Sequence, residues 1–155
     1  MKNITLTIIA TFFGGFMHCA IAGHHKIDSL TADMAYIRAP IPGHSMTAAF
    51  LTLKNSGKES CTLISAKSTF AEKIEFHTHQ HVDGMMKMRP VESVKVASNS
   101  TLKFKPGGLH LMLFGVKASE KQSAEIILGT DKCGDLTFSA PIKSIKSAPA
   151  EAMHH

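Results

Sequence analysis

The sequence predicts an all-β fold, a Greek-key barrel or sandwich, on three observations. Short segments rich in β-branched and apolar residues alternate with period two from Met46 to Phe138. Turn residues recur between them at short, regular intervals. No stretch after the N-terminal apolar run carries the 3.6-residue periodicity of an amphipathic helix.

Each element follows from those signals. Strands are expected over Ala32 to Arg38, Thr47 to Lys54, Thr62 to Ser68, Lys73 to His77, Met86 to Arg89, Thr101 to Phe104, His110 to Phe114, Ser123 to Leu128 and Leu136 to Ala140. Between them lie Pro42-Gly43, Asn55-Ser56-Gly57, Asp83-Gly84, Pro106-Gly107-Gly108 and the Lys132 to Asp135 segment. Each of these supplies a fixed φ or tolerates a positive one. Strands at this spacing point to a sandwich or Greek-key barrel. No repeat of 20 to 50 residues is present, which excludes a solenoid or propeller.

The 155 residues, 44% of them hydrophobic, suffice for one domain with a substantial core. Lys2 followed by an apolar run from Ile4 to Phe16 and then by Ala20 and Ala22 reads as a signal peptide, residues 1–22. The run is shorter than the roughly 20 residues of a membrane-spanning helix, so no stable membrane insertion is expected. Acylation of Cys19 is the weaker reading, because Phe16-Met17-His18 is bulky for lipoprotein cleavage. The expected division is then the leader, a β-domain over residues 23–142 and a flexible Lys-, Ser-, Ala- and Pro-rich tail over residues 143–155. Export places the protein in the periplasm, where Cys61 and Cys133 either pair or remain two buried thiols.

The formal charge of +5 comes from scattered Lys and Arg, with no stripe of the kind that binds nucleic acid. Ten His and nine Met beside no Trp are the unusual part of the composition. Among them His77, Met88, His110 and Met112 form a His2Met2 set. Thioether sulfur is a poor ligand for zinc, calcium or magnesium but suits copper(I), while imidazole accepts copper in either oxidation state. In a strand His110 and Met112 project from the same face. Taken singly each residue is more often structural, Met as core filler and His as an ordinary half-exposed side chain.

Joint spacing changes that balance. The pattern His77, ten residues, Met88, twenty-one residues, His110-x-Met112 resembles the motif of the periplasmic copper(I) chaperone family, PCuAC-type, that assists assembly of the CuA centre of cytochrome c oxidase. Flanking residues agree: Arg38-Ala39-Pro40, the run Thr47 to Leu53, Met88-Arg89-Pro90-Val91 and Pro106 to Leu113. The resemblance implies a cupredoxin-like barrel, the four residues above as copper(I) ligands, and as partner a copper acceptor, either an oxidase subunit or another assembly chaperone. It gives no role to Cys61 or Cys133. A monomer is expected.

Other donors are weaker candidates. His79 and His81 share a face with His77 if the segment stays extended, although a solvated turn is the commoner arrangement. Met86 shares a face with Met88, and Met85 does not. His44-Ser45-Met46 repeats the His-x-Met form. Copper(II) could be held at accessory His sites: Gly23-His24-His25, if cleavage follows Ala22, or the terminal Met153-His154-His155.

A blue-copper centre needs a Cys thiolate near His and Met, which neither cysteine offers. Nor is there a Ser-His-Asp grouping, a phosphate loop or a paired-carboxylate cleft, so an enzyme is not expected. Two alternatives to a chaperone remain, a periplasmic copper buffer or resistance protein and a β-sandwich interaction module with incidental His and Met.

Overall fold

The computed structural model describes residues 29–82, 84–116 and 122–144. The leader, the Gly23-His24-His25 start and the terminal His and Met lie outside the described residues. Ten strands make up the fold: β1 (Leu30–Arg38), β2 (Met46–Asn55), β3 (Cys61–Lys67), β4 (Lys73–Val82), β5 (Met85–Val91), β6 (Val94–Val96), β7 (Ser100–Phe104), β8 (His110–Phe114), β9 (Ser123–Thr130) and β10 (Leu136–Lys143). There is no helix among the described residues, as the absence of a helical period requires.

The strands follow one another in the order β5-β4-β8-β2-β1-β10-β9-β3-β6, with β7 also on β2. All pairings are antiparallel except β1 with β10, where Ile37 meets Ile142. Alternation puts Ile37, Leu53, Leu111 and Leu113 from one half of this order, and Leu63, Val96, Ile126 and Leu128 from the other, into one buried core. Burying such side chains contributes about 1.5–3 kcal/mol each, an upper estimate before unfolded-state burial is allowed for.

Two features pin the sandwich at the end away from the metal-donor residues. Asn55, fully buried, donates through Nδ2 to the carbonyls of Glu59 and Ala97 at 2.8 and 3.0 Å, while its Oδ1 accepts the Gly57 N–H at 2.9 Å. Gly57 is held close here: a Cβ would sit 2.9 Å from that of Ser29. Cys61 and Cys133 form a disulfide with Cα atoms 5.8 Å apart, tying β3 to the β9–β10 connection. Of the two alternatives open in the sequence, the bridge is the one realised.

Two departures from the sequence reading have physical causes. β6 was not expected, because three residues, Val94-Lys95-Val96, are too few for a periodic signal; they form a strand by pairing with Cys61 to Leu63 on β3. β4 continues five residues beyond His77, where a turn was the commoner expectation. Its outer part pairs with β5 alone, from Thr78–Arg89 to Val82–Met85, since β8 ends its register on β4 at the His77–His110 pair. The His-Thr-His-Gln-His run is polar on both faces and so shows no apolar alternation, although its backbone is extended.

The position of the site follows from a split in β2. Residues Met46 to Ala49 pair with β8 and residues Leu51 to Asn55 with β7. The Lys105–Leu109 connection between β7 and β8 therefore stands beside Phe50, the residue at the split. On the inner face Ala49, Leu51 and Leu111 fill the core; on the other face Phe50, His110 and Met112 are left to form a site.

Candidate metal centre

Three of the four expected ligands converge. Met88, His110 and Met112 line one cleft of about 330 Å³, walled also by Arg38, Phe50 and the Pro106–Gly107 turn. Period two accounts for His110 and Met112 from β8. Met88 reaches them from β5 across β4. The fourth residue, His77, lies directly opposite His110 on β4, with ring centroids 5.9 Å apart, but is not part of the cleft wall.

His110 is 3% exposed although it points away from the main core. Its Nδ1 lies 2.9 Å from the Gly108 carbonyl, an acceptor, so Nδ1 carries the proton and Nε2 keeps its lone pair. That Nε2 faces the Met88 Sδ at 3.2 Å. The turn that supplies the carbonyl needs Gly107, whose φ is +73°; it closes with the Gly108 N–H donating to the Lys105 carbonyl at 3.1 Å. Burial holds the His110 pKa below the ordinary histidine value; the Gly108 carbonyl opposes that shift, and the neighbouring His79 and His77 reinforce it.

His77 is oriented in a different way. Its Nε2 donates to Glu75 Oε2 at 2.8 Å, and Glu75 also pairs with Lys73. The His77 hydrogen bond first, then Lys73, holds the Glu75 carboxyl below the usual range. With the proton on Nε2, Nδ1 has a free lone pair, and it is buried with no hydrogen-bond partner among the described residues. A buried unpartnered nitrogen is costly unless something else occupies it, and a carboxylate behind a histidine is the usual support of a metal ligand.

The donor set is soft and mixed. Among the described residues no group of three or more His, Cys, Asp or Glu side chains could hold a metal ion. A metal held here has to accept thioether sulfur, which selects a soft ion and disfavours zinc, calcium and magnesium.

Of the secondary candidates, His79 lines the cleft, as does Met46, while His44 does not. Met86 faces His81 near the tip of the β4–β5 hairpin, and Met85 and Met86 are 58% and 52% exposed. Sequence reasoning passed over Glu75 altogether. The signal that could have found it is its place two residues before His77, on the same strand face.

Comparison with known proteins agrees with this architecture. The copper-bound PCuAC domain of PmoF2 superposes with a TM-score of 0.62 at 21% identity, covering 75% of this chain and 93% of that domain. Copper(I)-bound DR1885 from Deinococcus radiodurans gives a TM-score of 0.61 at 27% identity, covering 79% and 83%. Lxx21020 of Leifsonia xyli subsp. xyli, named as a candidate lipoprotein, is 27% identical over 157 residues, 95% of this chain and 93% of its own length. These matches bear out the resemblance to the PCuAC-type family read from the motif. The profile of the LpqE-like lipoprotein family matches residues 30–142, and the chain belongs to that family.

Proposed function

We propose that the protein is an exported copper(I) carrier that holds one ion through His77, Met88, His110 and Met112 and passes it to an acceptor protein by ligand exchange. The observation that carries this reading is the arrangement of the four donors. Met88, His110 and Met112 meet in one cleft, and beside them is a histidine whose buried Nδ1 has no hydrogen-bond partner among the described residues. The copper-bound state of the PmoF2 domain and the copper(I)-bound state of DR1885 support copper as the cargo. The lipoprotein description of the family and of Lxx21020 supports export, and the leader at residues 1–22 fits a periplasmic destination.

Four neutral donors favour the reduced ion without the grip of several thiolates. An acceptor presenting Cys or His can displace them one at a time, with copper bound throughout. The CuA site of cytochrome c oxidase, or an assembly chaperone acting before it, is the acceptor this reading names. Copper(I) competition titration tests the site: one tight equivalent is expected in the wild type and its loss in a Met88→Ala, Met112→Ala double variant. Absence of tight binding in the wild type would overturn the reading and favour an interaction module. Transfer to a purified oxidase subunit faster than free-ion release separates a chaperone from a buffer.

A further inference from the structure

The β4–β5 hairpin brings more donors to the cleft than one four-coordinate ion uses. Across it the directly facing pairs are His77 with Pro90, His79 with Met88 and His81 with Met86. Met88 is thus the cross-strand neighbour of His79, and His77 is the neighbour of His110 on the other side. Facing residues have Cβ atoms about 4.5–5.5 Å apart, so His79 and Met88 form a natural two-donor clamp.

The Gly108 carbonyl ties His79 to the same site. It lies 3.3 Å from Nδ1 of His79 and 2.9 Å from Nδ1 of His110. One acceptor therefore places the proton of both rings on Nδ1 and leaves both Nε2 atoms with lone pairs, the preparation expected of metal-ligating imidazoles. The two ring centroids are 5.3 Å apart, closer than the 5.9 Å between His77 and His110. His79 is also part of the cleft wall that Met88, His110 and Met112 share, where His77 is not.

We propose that His79 is a fifth donor of the copper site, exchanging with His77. Copper(I) is held by His79, Met88, His110 and Met112 as it enters or leaves through the cleft, and by His77 in place of His79 at rest. This rests on the copper-carrier reading above. The exchange breaks one copper–imidazole bond as another forms; both ligands are neutral, so no proton or electron moves. His79 stands on the part of β4 that, among the described residues, has β5 as its only strand partner, so its strand can adjust without disturbing the β4–β8 pairing beneath His77.

Silver(I), a redox-inert d10 substitute for copper(I), provides the test on the full exported chain labelled with 15N-histidine. At one equivalent, exchange of the ion between His77 and His79 is expected to move the His79 Nε2 resonance partway or broaden it, alongside the His77 and His110 resonances. In the His79→Ala variant, copper(I) affinity is expected to fall by less than about tenfold, the lower end of the effect of losing a supporting group, while release to a competing chelator slows by about tenfold or more. An unmoved His79 resonance alongside shifted His77 and His110 resonances overturns the proposal and leaves the carrier reading standing; so does unchanged release kinetics in His79→Ala. If no histidine resonance responds in the wild type, both readings fail together.

Discussion

His110 Nε2 and Met88 Sδ lie 3.2 Å apart. Bonds of roughly 2.0 Å to imidazole nitrogen and 2.3 Å to sulfur, typical of a first-row d10 ion, would span that separation at an angle of about 95°. Opening by a few tenths of an ångström reaches the tetrahedral angle. This pair is therefore close to its metal-bound spacing before the metal arrives, and little reorganisation opposes binding.

Removing Met88 should cost affinity without costing the fold. Met88 is 46% exposed, so Met88→Ala is expected to lower copper(I) affinity by about 100-fold while changing stability by less than about 0.5 kcal/mol. Competition titration and a thermal melt of the apoprotein measure the two effects separately. A large loss of stability would show that Met88 is packing and not a poised donor.

Acid should act on the apoprotein through His110. Its folded-state pKa is below the ordinary value, chiefly through burial, so an unfolded chain takes up a proton near pH ~6.5 that the folded chain still refuses. The His110 contribution to stability is therefore intact above pH ~6.5, is lost as pH falls from there to the lowered folded value, and then levels off. Melting temperature followed from pH 7.5 to 5 should show that slope, and His110→Gln should remove its share. The same shift keeps the His110 imidazole neutral to lower pH than an exposed histidine, so His110 should stay available to copper below the ordinary histidine range.

The disulfide should matter for stability and not for the metal. It joins residues 72 apart in sequence, for which loop-closure entropy gives about 4 kcal/mol. A Cys61→Ser, Cys133→Ser double variant is expected to lose roughly that much in denaturant titration. Its folded fraction should still bind one copper(I), because neither sulfur lines the cleft.

Most strand positions were legible because Leu51, Leu53, Leu111 and Leu113 each sit two residues apart, with polar or small residues between or flanking them. The same rule placed His110 and Met112 on one face. What was not legible depended on neighbours distant in sequence. β6 exists through β3, the Cys61–Cys133 bridge through a 5.8 Å Cα approach, and β4 is extended past His77 through β5. His79 and His77 look alike in the sequence. They are separated by the Gly108 carbonyl on one side and Glu75 on the other, contacts that only the tertiary fold makes.

Asn55 should be among the costliest single polar substitutions. Its amide satisfies the carbonyls of Glu59 and Ala97 and the N–H of Gly57, all at the junction of β2, β3 and β6. Asn55→Leu would remove all three bonds at once, leaving the Glu59 carbonyl and the Gly57 N–H without the amide while the Ala97 carbonyl keeps the Ser100 hydroxyl at 2.7 Å, a loss of about 2–4 kcal/mol. Chemical denaturation measures it, and a change below about 1 kcal/mol would mean that water replaces the amide.

Glu75 should govern how strongly His77 binds. The carboxylate is kept ionised by the His77 hydrogen bond and by Lys73, and while ionised it can only accept, which forces the His77 proton onto Nε2 and frees Nδ1. In Glu75→Gln the side-chain amide can present either its oxygen or its NH2 group, so this tautomer is no longer imposed. Loss of a partner that orients a ligating histidine typically costs about 10–100-fold in metal affinity; the lower end is expected here, because His79 can take the place of His77. Lys73→Ala should have little effect, since its side chain is 67% exposed and the pair is screened by solvent. Combining Glu75→Gln with His79→Ala removes the substitute, so the double variant should lose more affinity than the product of the two single effects. Strict multiplicativity in the copper(I) titrations would mean that His77 and His79 do not share the ion.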